Sequence, residues 1–225
     1  MRELADILFP RICPVCGVVL NGAEREICLG CLSSLPLTYF WTREDNPAAE
    51  LFWGRVYFKK AASLFFYNEG SPYRHLIHNF KYKGRREAGA MLGRMLGKRL
   101  RESGLFCDID YVVAVPLHPL KQWMRGYNQA EVIAEAIAEE LGTKVLKGAL
   151  RRNSFTATQT TKNAQERWSN VSGVFRIARK RSLENKHVLL VDDVLTTGAT
   201  LEACGHALLE SEGCKVSVAT LAFVE

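Results

Sequence analysis

Short runs dominated by apolar residues recur from residue 61 onward: AASLFFY (61–67), YVVAVPL (111–117), TKVLKGAL (143–150), HVLLV (187–191) and KVSVATLAFV (215–224). Runs of this kind suit strands buried on both faces. Between them the period changes. In EAGAMLGRMLGKRLRE, Leu92, Met95, Leu96 and Leu100 fall on one helical face while Arg94, Lys98 and Arg101 fall off it. In NQAEVIAEAIAEELG, Ile133, Ile137 and Leu141 recur every four residues, and Gly142 is a natural stop. TLEACGHALLESEG repeats the scheme through Leu201, Cys204 and Leu208 and ends at Gly213.

Strand alternating with helix predicts an α/β fold: a parallel sheet with right-handed crossovers and helices on both sides. Ligands in such sheets gather where strands reach their carboxyl ends. Two segments fall there, VPLHP at 115–119 and DDVLTTGAT at 192–200.

The second of these has an order that packing alone does not require. Val188–Val191 run into paired acids, Asp192 and Asp193, and then into Thr196, Thr197, Gly198, Ala199 and Thr200 before a helix. Backbone N–H groups and the positive end of the helix face an anion there, and small side chains let a phosphate approach. It is not a G-x-x-x-x-G-K-[ST] loop, so triphosphate hydrolysis is not suggested. Acids just before a phosphate cradle accept hydrogen bonds from sugar hydroxyls, and phosphate beside vicinal hydroxyls describes a ribose 5-phosphate. The bland reading of the same residues is an acidic strand end with an ordinary helix cap.

With 225 residues, 48% hydrophobic, the chain can bury a substantial core and hold one good-sized domain with a small appendage. The net charge of +6 permits an anionic partner. No apolar run approaches the roughly 18 residues of a membrane span, which predicts no membrane insertion. The N-terminal stretch MRELADILFPRICPVCG carries acids and runs straight into cysteines, unlike a cleaved signal peptide, so a cytoplasmic location is expected.

Those cysteines form two C-x-x-C pairs, Cys13 with Cys16 and Cys28 with Cys31, separated by eleven residues that include an Asn-Gly turn signal suited to a hairpin. Four soft ligands at this spacing predict a structural zinc rather than two disulfides or a redox pair, and four thiolates leave no open coordination position for catalysis. Cys204 and Cys214 read as small core fillers. The expected organisation is a four-cysteine zinc-binding module over 1–35, an aromatic linker or packing segment over 36–60, and the α/β domain over 61–225.

VLLVDDVLTTGAT resembles the PRPP-binding signature of the type I phosphoribosyltransferases. The cysteine head, FKYKGRREAG, VAVPLHPLKQWMRGYNQAEVIA and LRRNSFTATQTTKNAQERWSNVSGVF further resemble one branch, the ComF family of competence-associated proteins. The resemblance implies that Asp192 and Asp193 are the catalytic acids of a PRPP site, with magnesium entering alongside PRPP. It also implies that Thr196–Thr200 hold the 5-phosphate, and that Pro116, Leu117 and His118 form the loop that meets pyrophosphate, with Arg125 nearby. His118 reads equally as a turn histidine. Residues 152 to about 170 would be a flap, with Arg151, Gln159, Lys162 and Arg167 as candidates to reach the substrate.

The same resemblance implies DNA uptake in natural transformation, with incoming single-stranded DNA and a helicase-like competence protein as partners. Composition adds one observation: from Arg74 to Arg101 there are nine Lys and Arg against one acid, Glu87, a net +8. Lys81, Lys83, Arg85 and Arg86, beside Phe80 and Tyr82, suit a phosphate backbone with bases stacking nearby. A solvated helix face plus residues that hold PRPP fits the same pattern. The alternative function is a salvage phosphoribosyltransferase that transfers ribose 5-phosphate to a base or amine.

Overall fold

The structure, a computed structural model, describes residues 10–68, 70–82, 84–152 and 174–224. Five strands form one parallel sheet in the order β1 (Ala61–Tyr67), β7 (Lys215–Val224), β6 (His187–Leu195), β2 (Tyr111–Ala114) and β3 (Lys144–Val145). Alternate residues of β6 enter two separate cores: Leu189 and Val191 one, Val188 and Leu190 the other. Burial on both faces is why the run has no polar alternation.

One face is covered by α3 (Arg74–Tyr82), α4 (Arg86–Ser103) and α6 (Gln129–Leu141). Leu92, Leu96 and Leu100 of α4 are buried there with Ile133 and Ile137 of α6. Two glycines set the approach of these helices. A Cβ at Gly93 would lie 2.9 Å from that of Ala136, and one at Gly97 2.8 Å from that of Glu140. The helix over Lys98–Arg101 therefore packs more closely than its charge suggests, and it ends at Gly104, whose φ of 71° is left-handed.

The other face carries α7 (Ala199–Leu209) and much of the 36–60 segment. Phe40 and Phe52 are buried, and the Phe40 ring meets Phe66 and Phe223 edge-on at 5.5 and 5.3 Å. Buried Asn46 caps α2 (Pro47–Glu50), accepting from the N–H groups of Ala48 and Ala49, and donates to the Ala61 carbonyl at 3.0 Å. The segment is thereby tied to the first strand of the sheet.

Two expectations shift. TKVLKGAL is not one strand: Gly148, with φ of 68°, turns the chain out of the sheet after β3, and β4 (Leu150–Arg152) pairs antiparallel with β5 (Phe175–Ile177). HVLLV continues through both acids to Leu195, because Asp192 and Val194 keep their register with Thr220 and Ala222 of β7. In the cysteine head the backbone pairing, Ile12 with Val19, closes around the first knuckle rather than around Asn21-Gly22. The short helix α1 (Leu29–Ser33) carries Cys31, whose carbonyl accepts from Tyr73 Oη at 2.9 Å just ahead of α3. Between β2 and α6 lies α5 (Pro119–Arg125).

Candidate active site at the carboxyl edge

β6 delivers Asp192 and Asp193 to the carboxyl edge of the sheet, and Thr196–Gly198 turn the chain into α7. Gly198 takes the left-handed conformation this turn needs, with φ of 75°. A hollow of about 50 Å³ lies against Thr196, Thr197, Gly198, Ala199 and Thr200. Next to it opens a cleft of about 180 Å³ bordered by Asp192, Asp193 and Thr200, with Pro116 and Leu117 from the loop after β2. The two sequence-distant edge segments thus meet.

Among the described residues four cations face this cleft: Lys81 from α3, Lys121 and Arg125 from α5, and Arg152 from β4. Lys81 Nζ lies 3.1 Å from Asp193 Oδ2. Arg125 Nη1 donates to Gln129 Oε1 at 2.9 Å, and its Nη2 donates to Tyr82 Oη at 3.2 Å. Gln129 Nε2 and Arg152 Nε are buried donors with no acceptor among the described residues. Unpaired buried donors are costly, so a cleft that holds them fits a ligand rich in anionic oxygens.

Asp192 is half-buried and accepts the Asp193 N–H at 2.9 Å. Burial, then the neighbouring Asp193 charge, pushes its carboxyl up to about 7, against the opposing pull of Lys81 and Arg125. Asp192 therefore holds its proton further toward neutrality than an ordinary aspartate, and a cationic or hydroxyl-rich ligand favours its charged form.

The phosphate-type loop is held from behind by residues that no motif marked. Arg55 Nη1 donates to the Thr197 carbonyl and to the Leu51 carbonyl, each at 2.9 Å, while its Nη2 pairs with Glu202 in the first turn of α7. The Phe52 ring sits under Gly198, where a Cβ would lie 2.7 Å from Phe52 Cε1. Of Phe52–Phe58 only Phe52 and Val56 are buried, and nothing local in the sequence ties this stretch to residue 198.

His118 is the N-cap of α5, its Nδ1 accepting from Leu120 N–H at 3.2 Å, which matches the turn-histidine reading. Arg151 is exposed on β4 while its neighbour Arg152 reaches the cleft. Gln159, Lys162, Arg167 and Lys83 lie outside the described residues. Arg85 pairs with Glu26 of the cysteine head at 3.8 Å, and burial raises the Glu26 carboxyl above its usual range. Arg86 donates to the Gly126 carbonyl at 3.2 Å and lies 4.5 Å over the Tyr127 ring. Phe80 is buried, so it is not available for stacking; Tyr82 is exposed.

The four head cysteines converge, with all four Sγ atoms within 4.8 Å of one another and Cys16 and Cys28 sulfurs 3.6 Å apart. Tetrahedral Zn–S bonds of about 2.3 Å require sulfurs about 3.8 Å apart, so the residues fit zinc. Cys31 N–H donates to Cys28 Sγ at 3.4 Å. Burial raises the Cys13 thiol, but backbone donors around it win and hold it at about 6; Cys31 is pushed up by burial and by its three sulfur neighbours. Four thiolates this close need a cation to coexist.

The phosphoribosyl transferase domain family matches residues 127–225, in agreement with the parallel sheet and its acid-acid-loop edge; the α/β body is a type I phosphoribosyltransferase domain. The chain is 32% identical over 151 residues to "DNA utilization protein YhgH" of Salmonella typhimurium, spanning 65% of this chain and 65% of that protein. It is 32% identical over 141 residues to "Competence protein F" of Haemophilus influenzae, 61% of this chain and 62% of that one. Similarity to "Competence protein ComFC" of Bacillus subtilis runs longer, at 27% identity over 214 residues, 95% of this chain and 77% of that protein.

Proposed function

This chain belongs to the ComF family, and from that premise we propose that it binds magnesium–PRPP at the carboxyl edge of its sheet and serves DNA utilisation in natural transformation. The observation that carries the reading is the cleft itself, where Asp192, Asp193 and Thr200 meet Lys81, Lys121, Arg125 and Arg152, and where Gln129 Nε2 and Arg152 Nε are buried with no acceptor among the described residues. The backbone N–H groups of Thr196–Thr200 and the hydroxyls there hold the 5-phosphate. Asp192 and Asp193 accept hydrogen bonds from the ribose hydroxyls. Lys121, Arg125 and Arg152 face the pyrophosphate, with Pro116 and Leu117 lining its approach.

Magnesium chelated by PRPP draws charge from the departing pyrophosphate. The chain's residues orient the anomeric carbon and concentrate positive charge where the leaving group develops negative charge. Lys81 neutralises Asp193 in the free protein, so binding exchanges this ion pair for contacts to the ligand. In this reading the cysteine head over 1–35 holds one structural zinc through Cys13, Cys16, Cys28 and Cys31 and braces the start of α3 through Tyr73 and the start of α4 through Arg85.

The DNA role follows the names of the relatives, and the handled species in this reading is single-stranded DNA in the cytoplasm, passed on with a helicase-like partner. Among the described residues no helix is long and apolar enough to cross a membrane. Lys81, Lys83, Arg85 and Arg86 remain the candidate backbone contacts, though three of them have internal partners in the free protein. Calorimetric titration with magnesium–PRPP tests the binding site, with saturable one-to-one binding expected. Absence of binding would remove the reading. Pyrophosphate release measured with a panel of bases separates a binder from a salvage transferase: robust turnover with one base favours the transferase.

A further inference from the structure

Beside the cleft, the surface changes from cationic to aromatic. α5 turns Lys121 and Arg125 toward the cleft and presents Leu120, Trp123 and Met124 to solvent, with Trp123 84% exposed. Residues three and four apart share a helical face, so these three apolar side chains form one patch. None of the α5 residues is buried, so the helix contributes nothing to the core with this face. Next to Arg125, Tyr82 is 60% exposed and has two planar neighbours, the His78 ring tilted by 41° to it and the Arg125 guanidinium. The His78 ring lies 4.9 Å away, and the Arg125 guanidinium lies 4.9 Å from the Tyr82 ring centre.

Charge selects the partner. α3 (RHLIHNFKY) and α5 (PLKQWMR) contain no Asp or Glu between them, but carry Arg74, Lys81, Lys121 and Arg125. A polyanion with planar, exposed bases matches both features: phosphates meet the cations, and bases cover aromatic faces that would otherwise stay in water. A duplex hides its bases, which leaves a single strand. An anionic membrane also attracts cations and a tryptophan, but the polar, planar cluster of His78, Tyr82 and Arg125 matches bases better than acyl chains.

We propose that α5 and the C-terminal end of α3 form the stacking surface for single-stranded nucleic acid, with Trp123 as its most exposed element, placing the strand at the mouth of the PRPP cleft. The proposal rests on the DNA-handling reading above and moves the principal contact from the basic stretch at 81–86 to α5. The strand borders the cleft and meets it at Lys121 and Arg125, which also line the sugar-phosphate cleft, while Trp123 lies outside that cleft.

The test measures binding of the full chain to a short labelled oligothymidylate by fluorescence anisotropy at low and high salt. Trp123→Ala should weaken binding roughly tenfold or more, as expected for loss of one stacked base. Trp123→Phe should restore most of it. The salt slope should stay unchanged, since stacking releases no counterions. Magnesium–PRPP affinity, measured on the same preparation, should also stay unchanged, which shows the variant to be folded. Trp53→Ala, an exposed tryptophan elsewhere on the surface, should bind the strand like the wild type.

If the wild type binds the oligonucleotide and Trp123→Ala binds it equally well, the stacking surface is overturned while the DNA reading stands. If the wild type binds magnesium–PRPP but no oligonucleotide, both fall. If Trp123→Ala loses binding to phosphatidylglycerol vesicles but keeps the oligonucleotide, the patch is a membrane contact and the proposal is wrong.

Discussion

Residues 74–101 and residues 36–60 exchange roles between sequence and structure. The first carries a net +8 and reads as a surface for an anionic partner; the second carries no recognisable motif and reads as a linker or packing segment. In the fold much of the charge in the first is engaged internally. Lys81 pairs with Asp193, Arg85 with Glu26, Lys98 and Arg99 with Glu102, and Arg101 with Glu140, while Arg86 lies on Tyr127. The second segment reaches through the second core and fixes the loop that the PRPP signature marks, with Phe52 beneath Gly198 and Arg55 on the Thr197 carbonyl. Charge counted along a chain is therefore a poor measure of charge offered to a ligand, and a local sequence signature marks a loop without the distant residues that hold it.

The comparison is broken most sharply at Phe52. Phe52→Ala should destabilise the protein by about 3–5 kcal/mol, the usual cost of emptying a fully buried aromatic site, and should reduce PRPP affinity even where the protein remains folded. Chemical denaturation and calorimetry read the two effects. A loss of stability with untouched PRPP affinity would show that the segment packs without setting the loop.

Arg55 separates loop positioning from core packing. Arg55→Ala should lower PRPP affinity about tenfold, on the scale of one or two charge-assisted hydrogen bonds. Arg55→Lys should rescue little of it, because a single ammonium cannot hold the Leu51 and Thr197 carbonyls and Glu202 together as the guanidinium fork does. A purely structural role would shift the melting temperature and leave the affinity of folded protein unchanged.

In the basic stretch the expected effects are smaller. Arg86→Ala should cost about 1 kcal/mol, from the Gly126 hydrogen bond and the contact with Tyr127. Lys98→Ala should cost less than about 0.5 kcal/mol, since its i,i+4 pair with Glu102 is exposed. A marked fall in oligonucleotide affinity and salt slope on replacing Lys98, Arg99 and Arg101 together would return the binding surface to this segment.

Asp192 gives the pH dependence. Its carboxyl is raised to about 7 from an ordinary value of 3.8, so the folded state holds a proton that the unfolded state has lost between these limits. Stability therefore falls as pH rises from about 4 to 7, and the loss is complete above 7. Asp192→Asn removes this penalty. Its melting temperature relative to the wild type should climb through that window and level off above it, a gain of a few degrees.

The strand and helix runs of the body were legible because a two-sided sheet leaves long apolar segments and four-residue helical repeats. β1, β7, α4 and α6 follow their runs closely. α5 was not legible by periodicity, since seven residues with no buried face have no core pattern to show. The acids and the threonine-glycine loop were found because their order is local. Lys81 as the partner of Asp193, Gln129 and Arg152 at the cleft, and Arg55 behind the loop all depend on contacts between distant segments. The choice between Arg151 and Arg152 hangs on which face of β4 each residue takes, which the sequence does not decide.

The most direct measurement is calorimetric titration of magnesium–PRPP into the Asp192→Asn, Asp193→Asn double variant beside the wild type. Each amide keeps an acceptor but loses the charge that strengthens a sugar-hydroxyl hydrogen bond, a difference of about 1 kcal/mol per residue and so roughly thirtyfold for the pair. The account predicts that loss in a protein that remains folded near neutral pH. Equal PRPP affinity in the two proteins would contradict it and remove the paired acids from the site.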